Sequence, residues 1–439
     1  MASALAINGG SRTVPEGRTR LWPQITEAER AAVLRVLDSR ILSGAHAPEI
    51  VSLEREFAQY SDAKHCLSSN SGTAALHMAV AAAEIGPGDE VITSAFTFLA
   101  SALAVLHHNA IPIFADIDPV TYNISPREIE RKITPRTRAI MPVHIHGLPA
   151  DLDEIRAIAH KHNLIVIEDA AQAHGATYKS QKVGSIGDMG AFSVQSSKNL
   201  SAGEGGLFVT NSDDLYERAN RVRQFGEEAA ESTTAGLDPL HPLDDLRDYN
   251  AVTIGWMYRT TSLTAALARC QLARLDHYNG NATRNAEYLT GRLASIDLVT
   301  PPAVPADRTS VYHKYRVRLH PERLEAGLDP KRFRNAVMQS LRQEGVETVL
   351  WQVSPVPSQV LFQQQVGYGK GCPWSCQKSE VQYRNEDYPE TVRLLENSVV
   401  IGSQSAPLAG QDIELMHCYA EAFEKVLADR DTLIRLART

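Results

Sequence analysis

The chain has 439 residues, with 44 Lys+Arg against 52 Asp+Glu, a formal net charge of −8. That length supports two or three domains with a sizeable core, and 43% hydrophobic with 22% charged residues excludes a disordered, collagen-like or coiled-coil chain. The mild acidity offers no footprint for nucleic acid or an anionic membrane surface, no run approaches the ~20 apolar residues of a membrane span, and the first ten residues do not read as a secretory signal.

Residues 1–45 read as a lead-in ending in a helix. Thr26 and Glu29 have capping-box spacing, and Ala32, Val33, Val36 and Leu37 continue at helical period. Beyond Cys66, apolar strands at 91–94, 111–117, 139–145 and 164–168 accompany helical patterns at 73–83, 98–108, 125–132 and 152–162. Such alternation predicts an α/β domain over 46–300, a parallel sheet covered on both faces, with any ligand at the carboxyl ends of its strands. Residues 227–250 are polar and read as a long excursion, and 261–278 and 282–295 as connector helices. After Pro301 and Pro302 the pattern changes: 312–319 alternates like a strand, 330–344 is helical, and 345–350 leads to another extended piece. A smaller α+β domain over 301–439 follows. Five cysteines, Cys66, Cys270, Cys372, Cys376 and Cys418, are few and odd in number, which predicts a reducing, cytoplasmic setting without a disulfide framework. Cys372 and Cys376 read as two thiols in a loop. No second pair completes a zinc site, so no metal is expected.

Three local signals carry chemistry. Asn70-Ser71-Gly72-Thr73 opens an apolar helix, where free N–H groups and the helix dipole make an anion seat; taken alone, a Ser/Thr N-cap is its ordinary explanation. The strand at 164–168 runs into Glu168 and Asp169, then Ala-Ala-Gln172; a carboxylate there asks for a cationic partner or caps the next helix. Residues 191–206, AFSVQSSKNLSAGEGG, place Ser193 and Lys198 between a strand and a glycine turn. The next segment, 207–210, is a strand rather than a helix, so this is no dinucleotide fingerprint. Jointly the three ask for a ligand with a phosphate, a basic ring nitrogen and an aldehyde. Pyridoxal 5′-phosphate meets all three: phosphate on the helix N-terminus and Ser193, ring nitrogen on Asp169, aldehyde as a Schiff base with Lys198. Lys179 and Lys182 lie in a polar turn, Lys64 precedes a strand, and Lys314 should alternate away from its neighbours His313 and Tyr315, which leaves Lys198 as anchor.

From about Trp22 onward the sequence resembles the DegT/DnrJ/EryC1/StrS family of pyridoxal-phosphate-dependent sugar and cyclitol aminotransferases. The stretches that carry the likeness are SSNSGTAAL (68–76), EVITSAFTFLASA (90–102), PVHIHGLPADLDEI (142–155), VIEDAAQAHGA (166–176) and the 191–206 segment. The resemblance implies a fold-type I transferase: a large, mixed, mostly parallel sheet sandwiched by helices, plus a smaller C-terminal α+β domain. It implies catalytic roles for Lys198 and Asp169, phosphate contacts for Gly72, Thr73 and Ser193, ring stacking for Phe98, and a place near the ring hydroxyl for Gln172. His313 and Tyr315 match a segment that reaches toward substrate.

The implied reaction moves an amino group from glutamine or glutamate to a keto-cyclitol or keto-sugar in secondary metabolism of the aminoglycoside type, in a homodimer with active sites at the interface. Aryl-amine synthases of the same family, such as those making 3-amino-5-hydroxybenzoate, are the alternative; a cofactor-binding regulator without turnover is a third. One departure stands out. The family's Gly-aromatic-Asn-Tyr-Arg stretch, which sends Asn to the neighbouring subunit's cofactor phosphate, here reads Gly255-Trp256-Met257-Tyr258-Arg259. Thioether sulfur is a poor partner for phosphate, and Met257 itself reads as packing. His144 and His146, two apart on a predicted strand, should share one face, without a third ligand for a metal.

Overall fold

A computed structural model describes residues 4–227, 250–325 and 327–438; positions 228–249 of the predicted excursion lie outside the described residues. The chain begins with α1 (Glu27–Ser39), whose capping box forms as expected: the Thr26 N–H donates to Glu29 Oε2 at 2.7 Å, and Thr26 Oγ1 accepts from Ala28 N–H. α2 (Pro48–Tyr60), β1 (His65–Ser69), α3 (Gly72–Ala82), β2 (Glu90–Ser94), α4 (Ala100–Leu106), β3 (Ile111–Ala115), α5 (Pro126–Lys132), β4 (Thr137–Met141), α6 (Leu152–His162) and β5 (Ile165–Asp169) follow. A small hairpin, β6 (Thr177–Tyr178) and β7 (Gln181–Lys182), precedes β8 (Met189–Ser193), β9 (Gly206–Thr210) and α7 (Asp213–Arg223).

Seven strands form one sheet in the order β1-β9-β8-β5-β4-β2-β3. β8, β5, β4, β2 and β3 run parallel, and β9 runs antiparallel to both neighbours. Every residue of β2, β3, β8 and β9 is buried, the pattern of strands covered on both faces. The parallel strands and β1 all end on one edge, which gathers the loops that follow them.

The connector differs from its sequence pattern. α8 (Ser262–Leu272) stops earlier than predicted, and α9 (Leu275–Leu293) runs straight through Gly280. The break falls at Arg274, which is pinned to the Gln24 carbonyl and Glu29. A Cβ at Gly280 would meet open space, so the glycine costs α9 only its propensity, about 1 kcal/mol. The buried face of Leu275, Tyr278, Ala282, Leu289 and Leu293 outweighs that.

Downstream, β10 (Val299–Thr300), β11 (Tyr315–Leu319), β12 (Thr348–Val349) and β13 (Ser398–Ile401) make an antiparallel sheet in the order β10-β11-β13-β12. α10 (Pro330–Gln343), α11 (Val360–Gln363), α12 (Pro389–Glu396), α13 (Ile413–Ala428) and α14 (Arg430–Arg438) complete the chain. Phe333, Leu341, Phe423 and Leu427 pack with Tyr278, Val317 and Val399 in one core over this sheet.

Two expectations need correction. Cys372 and Cys376 are joined in a disulfide rather than standing as two free thiols. His144 and His146 do not share a strand face, because β4 ends at Met141 and His146 sits in a tight turn at φ +58°. Among the described residues, no helix is long and apolar enough to cross a membrane, and no cluster of His, Cys, Asp or Glu could hold a metal ion.

Candidate active site

Five chain segments meet at the carboxyl edge of the large sheet: the Ser71–Gly72 turn after β1, Phe98 after β2, Asp169 closing β5, Ser193 closing β8, and Gly206 opening β9. Two glycines set how closely they approach. A Cβ at Gly72 would lie 2.6 Å from Ser193 Cβ, and one at Gly206 would lie 2.2 Å from the Ser71 carbonyl oxygen. Only hydrogen fits at either position. Ser71 Oγ caps α3 by accepting from Ala74 N–H at 3.0 Å, so Gly72 and Thr73 present the first N–H groups of the helix beside the Ser193 hydroxyl. Aligned N–H groups, the helix dipole and a hydroxyl make a seat for phosphate.

The two carboxylates of β5 have opposite fates. Glu168 is structural: it accepts from the N–H groups of Gly184, Ile186 and Gly187 at 2.6–2.8 Å and contacts His144 Nε2 at 2.8 Å. Asp169 is buried, and its carboxylate accepts from Ser101 Oγ at 2.7 Å and Ala171 N–H at 3.2 Å. Burial pushes its pKa up against those hydrogen bonds, and among the described residues no cation pairs with it.

Lys198 follows β8 in a compact loop. Its N–H donates to the Gln195 carbonyl at 2.8 Å, Ser196 N–H donates to Gly203, and the Trp22 indole donates to the Lys198 carbonyl at 3.1 Å. Burial lowers the Lys198 pKa to about 8, and the charge of Asp169 opposes that shift. Other lysines are engaged elsewhere: Lys64 with Asp213, Lys179 with Asp153, Lys182 with the Tyr60 carbonyl.

These groups fit pyridoxal 5′-phosphate. A cradle that one methyl group would fill suits the phosphate, an uncompensated buried carboxylate suits a protonated ring nitrogen, and an amine of lowered pKa suits an aldehyde. Phe98 lies at the same edge, 60% exposed and so free to cover a ring. Gln172 is buried and accepts from His146 N–H at 2.9 Å through Oε1.

The substrate candidates fare differently. His313 is buried, its Nδ1 unpartnered, and burial together with Lys314 and Lys198 holds it well below the usual histidine range. Tyr315 lies in the C-terminal core, its hydroxyl 2.9 Å from Thr290 Oγ1. Lys314, expected to turn away, is instead buried with its amine unpartnered beside the site. His174, which the sequence did not single out, is fully buried between Phe57 and Phe192, with both ring nitrogens unpartnered and a pKa lowered to about 3 by burial first and Lys198 second. A histidine in the run after Asp169 was its only signal. Met257 is 49% exposed in the single chain. Its segment docks through backbone, with Tyr258 accepting from Asn70 N–H at 2.7 Å and the Tyr258 hydroxyl 2.7 Å from His77 Nδ1.

The sequence profile of the DegT/DnrJ/EryC1/StrS aminotransferase family matches residues 23–383. GDP-perosamine synthase of Caulobacter vibrioides is 40% identical over 298 residues, 68% of this chain and 76% of the relative. L-glutamine:2-deoxy-scyllo-inosose aminotransferase of Streptoalloteichus tenebrarius is 38% identical over 325 residues, 72% and 74% of the two chains. Among solved structures, a 3-amino-5-hydroxybenzoic acid synthase superposes with a TM-score of 0.79 at 29% identity, covering 96% of this chain and 100% of that one. The chain belongs to this family of pyridoxal-phosphate-dependent aminotransferases.

Proposed function

We propose that this member of the DegT/DnrJ/EryC1/StrS aminotransferase family moves an amino group from glutamine or glutamate to a keto-sugar or keto-cyclitol, with Lys198 and Asp169 as its catalytic residues. The observation that carries the reading is the meeting of the Lys198 amine, the lone Asp169 carboxylate and the Gly72–Ser193 cradle at one sheet edge. Relatives that act on a nucleotide-linked sugar and on a cyclitol ketone support the acceptor class.

Bound there, pyridoxal phosphate supplies an electron sink for the carbanion formed when the substrate carbon loses its proton. Gly72, Thr73 and Ser193 would hold its phosphate, and Phe98 would cover the ring. Asp169 would face the pyridine nitrogen and favour its protonated form. Lys198 would hold the group through its aldehyde. With a pKa of about 8, its Nζ is partly neutral near pH 7–8 and would serve as the base that takes up and gives back the substrate's Cα proton. The reading places residues 1–45 as a lead-in, 46–300 as the cofactor domain and 301–439 as a smaller domain that helps close the site. It includes a homodimer, for which the exposed Val252, Ile254 and Met257 beside the 255–259 segment provide an apolar outer face.

The structural likeness to a 3-amino-5-hydroxybenzoic acid synthase favours a second reading, amination with aromatisation of a cyclic enone. A panel of keto-sugars, keto-cyclitols and cyclic enones, with glutamine as donor and mass as readout, separates the two. An amine of unchanged ring saturation supports the first, and a product with strong aromatic absorbance supports the second. No glutamine-driven change in cofactor absorbance overturns both.

A further inference from the structure

Two buried hydroxyls lead to the Asp169 carboxylate in single file. Ser101 Oγ lies 2.7 Å from Asp169 Oδ2, and Thr97 Oγ1 lies 2.7 Å from Ser101 Oγ. Thr97 and Ser101 are both 0% exposed and Asp169 is 5% exposed, so their hydrogen bonds are made within the protein. The direction of the chain follows from its protons. An ionised carboxylate only accepts, and a hydroxyl carries one proton. Ser101 therefore donates to Asp169 and accepts from Thr97. The other acceptor within reach of the Ser101 hydroxyl, the Phe98 carbonyl at 3.3 Å, is farther away and uncharged.

Both hydroxyls sit on a stretch that is fixed by its backbone. Ala95 N–H donates to the Ala115 carbonyl at 2.9 Å, Val356 N–H donates to the Ala95 carbonyl at 3.0 Å, and Gln352 Nε2 donates to the Thr97 carbonyl. Ser101 lies in the first turn of α4, its N–H donating to the Phe98 carbonyl at 3.3 Å. Phe98 falls between the two hydroxyls, so one short stretch carries the aromatic side chain and the donors that reach Asp169. The other carboxylate oxygen, Oδ1, accepts from Ala171 N–H at 3.2 Å. A carboxylate has about four lone-pair sites, so these two bonds leave room for a ring N–H. Burial raises the Asp169 pKa, and the Ser101 hydrogen bond is the largest effect acting against it.

We propose that Ser101, backed by Thr97, is a positioning residue for the reaction: its hydroxyl orients the Asp169 carboxylate and holds it in the ionised form that a protonated pyridine nitrogen requires. The proposal rests on the aminotransferase reading. Between a carboxylate and a pyridine nitrogen there is one proton to place. A donor on the carboxylate stabilises the charge left when that proton sits on nitrogen, and in a buried site that charge is costly without one. Neither hydroxyl touches the reacting atoms, and both act through Asp169.

The test uses holoenzyme loaded with pyridoxal phosphate carrying nitrogen-15 in the ring, whose NMR shift reports the proton on that nitrogen directly. In wild type at neutral pH the shift should be that of a protonated pyridine. Ser101→Ala should move it toward the unprotonated position and raise the cofactor dissociation constant roughly tenfold, the loss of one hydrogen bond to a charged group. Thr97→Val keeps the shape, removes the second hydroxyl, and should move both in the same direction by less. Each variant should lower the maximal rate of the glutamine half-reaction and leave its glutamine dependence unchanged. A cycle with Asp169→Asn separates positioning from packing: in that background Ser101→Ala should add little to the loss of cofactor affinity, because the group it acts through is gone. Fully additive losses, an unmoved shift in Ser101→Ala, or an unprotonated nitrogen in wild type overturns the proposal, and the wild-type measurement stands even if a variant fails to fold. A wild-type enzyme with a protonated nitrogen but no glutamine half-reaction refutes the aminotransferase reading, and with it the role in the reaction, whatever the shift in Ser101→Ala.

Discussion

Replacing Asp169 by Asn should separate two effects of opposite sign. In the protein without cofactor, the carboxylate is buried and its pKa is raised by desolvation. An acid whose folded-state pKa is raised contributes stability that is complete below the unfolded pKa and is lost as pH rises through the folded one, so at pH 7 ionised Asp169 is a cost. Asn removes that charge and keeps the local bonds. Its carbonyl can still accept from Ala171 N–H, and its amide can donate to Ser101 Oγ, which then donates to Thr97 Oγ1 at 2.7 Å. Apo Asp169→Asn should therefore melt at or above wild type. With cofactor the sign reverses, because the ring nitrogen loses an ionic partner. A hydrogen bond to a charged group is worth about 1.5–3 kcal/mol, so the cofactor dissociation constant should rise roughly ten- to a hundredfold. A neutral pyridine is also a poor sink, and Cα proton removal should slow by orders of magnitude. Differential scanning of apo and reconstituted protein, cofactor titration by absorbance and single-turnover kinetics with glutamine give the three numbers. An apo variant well below wild type would make Asp169 a structural residue. Unchanged cofactor affinity together with a half-reaction within a few-fold of wild type would refute the ring-nitrogen assignment.

Lys198 titrates lower in the folded protein, about 8 against an ordinary 10.5, so its neutral amine should appear near pH 8; reconstitution of apo protein with pyridoxal phosphate should accelerate with a midpoint there, and a midpoint near 10.5 would contradict the burial argument. The same shift means apo stability rises as pH climbs from about 8 to 10.5, since the unfolded chain holds that proton longer, which pH-dependent denaturant titration reads. Gly206→Ala should push β9 from the Ser71 carbonyl, 2.2 Å from the new methyl, and cost a few kcal/mol as overpacking does, with cofactor retention falling before secondary structure by circular dichroism. Retention equal to wild type would mean the cradle tolerates the shift.

Much of this was legible because local signals agreed. The apolar run at 164–168 ends in Asp169 because a strand covered on both faces must be apolar until it reaches the ligand edge, and Ser71-Gly72 opens a helix that small residues let lie close to β8 and β9. Lys198 stood out by its place between strand and glycine turn. What failed was alternation near strand starts. Tyr312 sits at φ +45°, so the chain is not extended until Tyr315, and counting by twos from Tyr312 wrongly turned Lys314 away. His146 misled for the same reason: a left-handed residue resets which side faces where. The disulfide was invisible because two cysteines four apart can pair only if the backbone turns to bring them together, and the spacing does not show that turn.

The central claim is that Lys198 anchors the cofactor and shuttles the proton. Lys314 is its one serious competitor, since burial lowers that amine to about 8 as well and its charge acts on the same site. Borohydride reduction of the holoenzyme, followed by proteolysis and mass mapping, fixes the cofactor to whichever amine carries it. The account predicts a pyridoxyl group on the peptide containing Lys198 and on no other. Label on the Lys314 peptide, or on any third lysine, would contradict it.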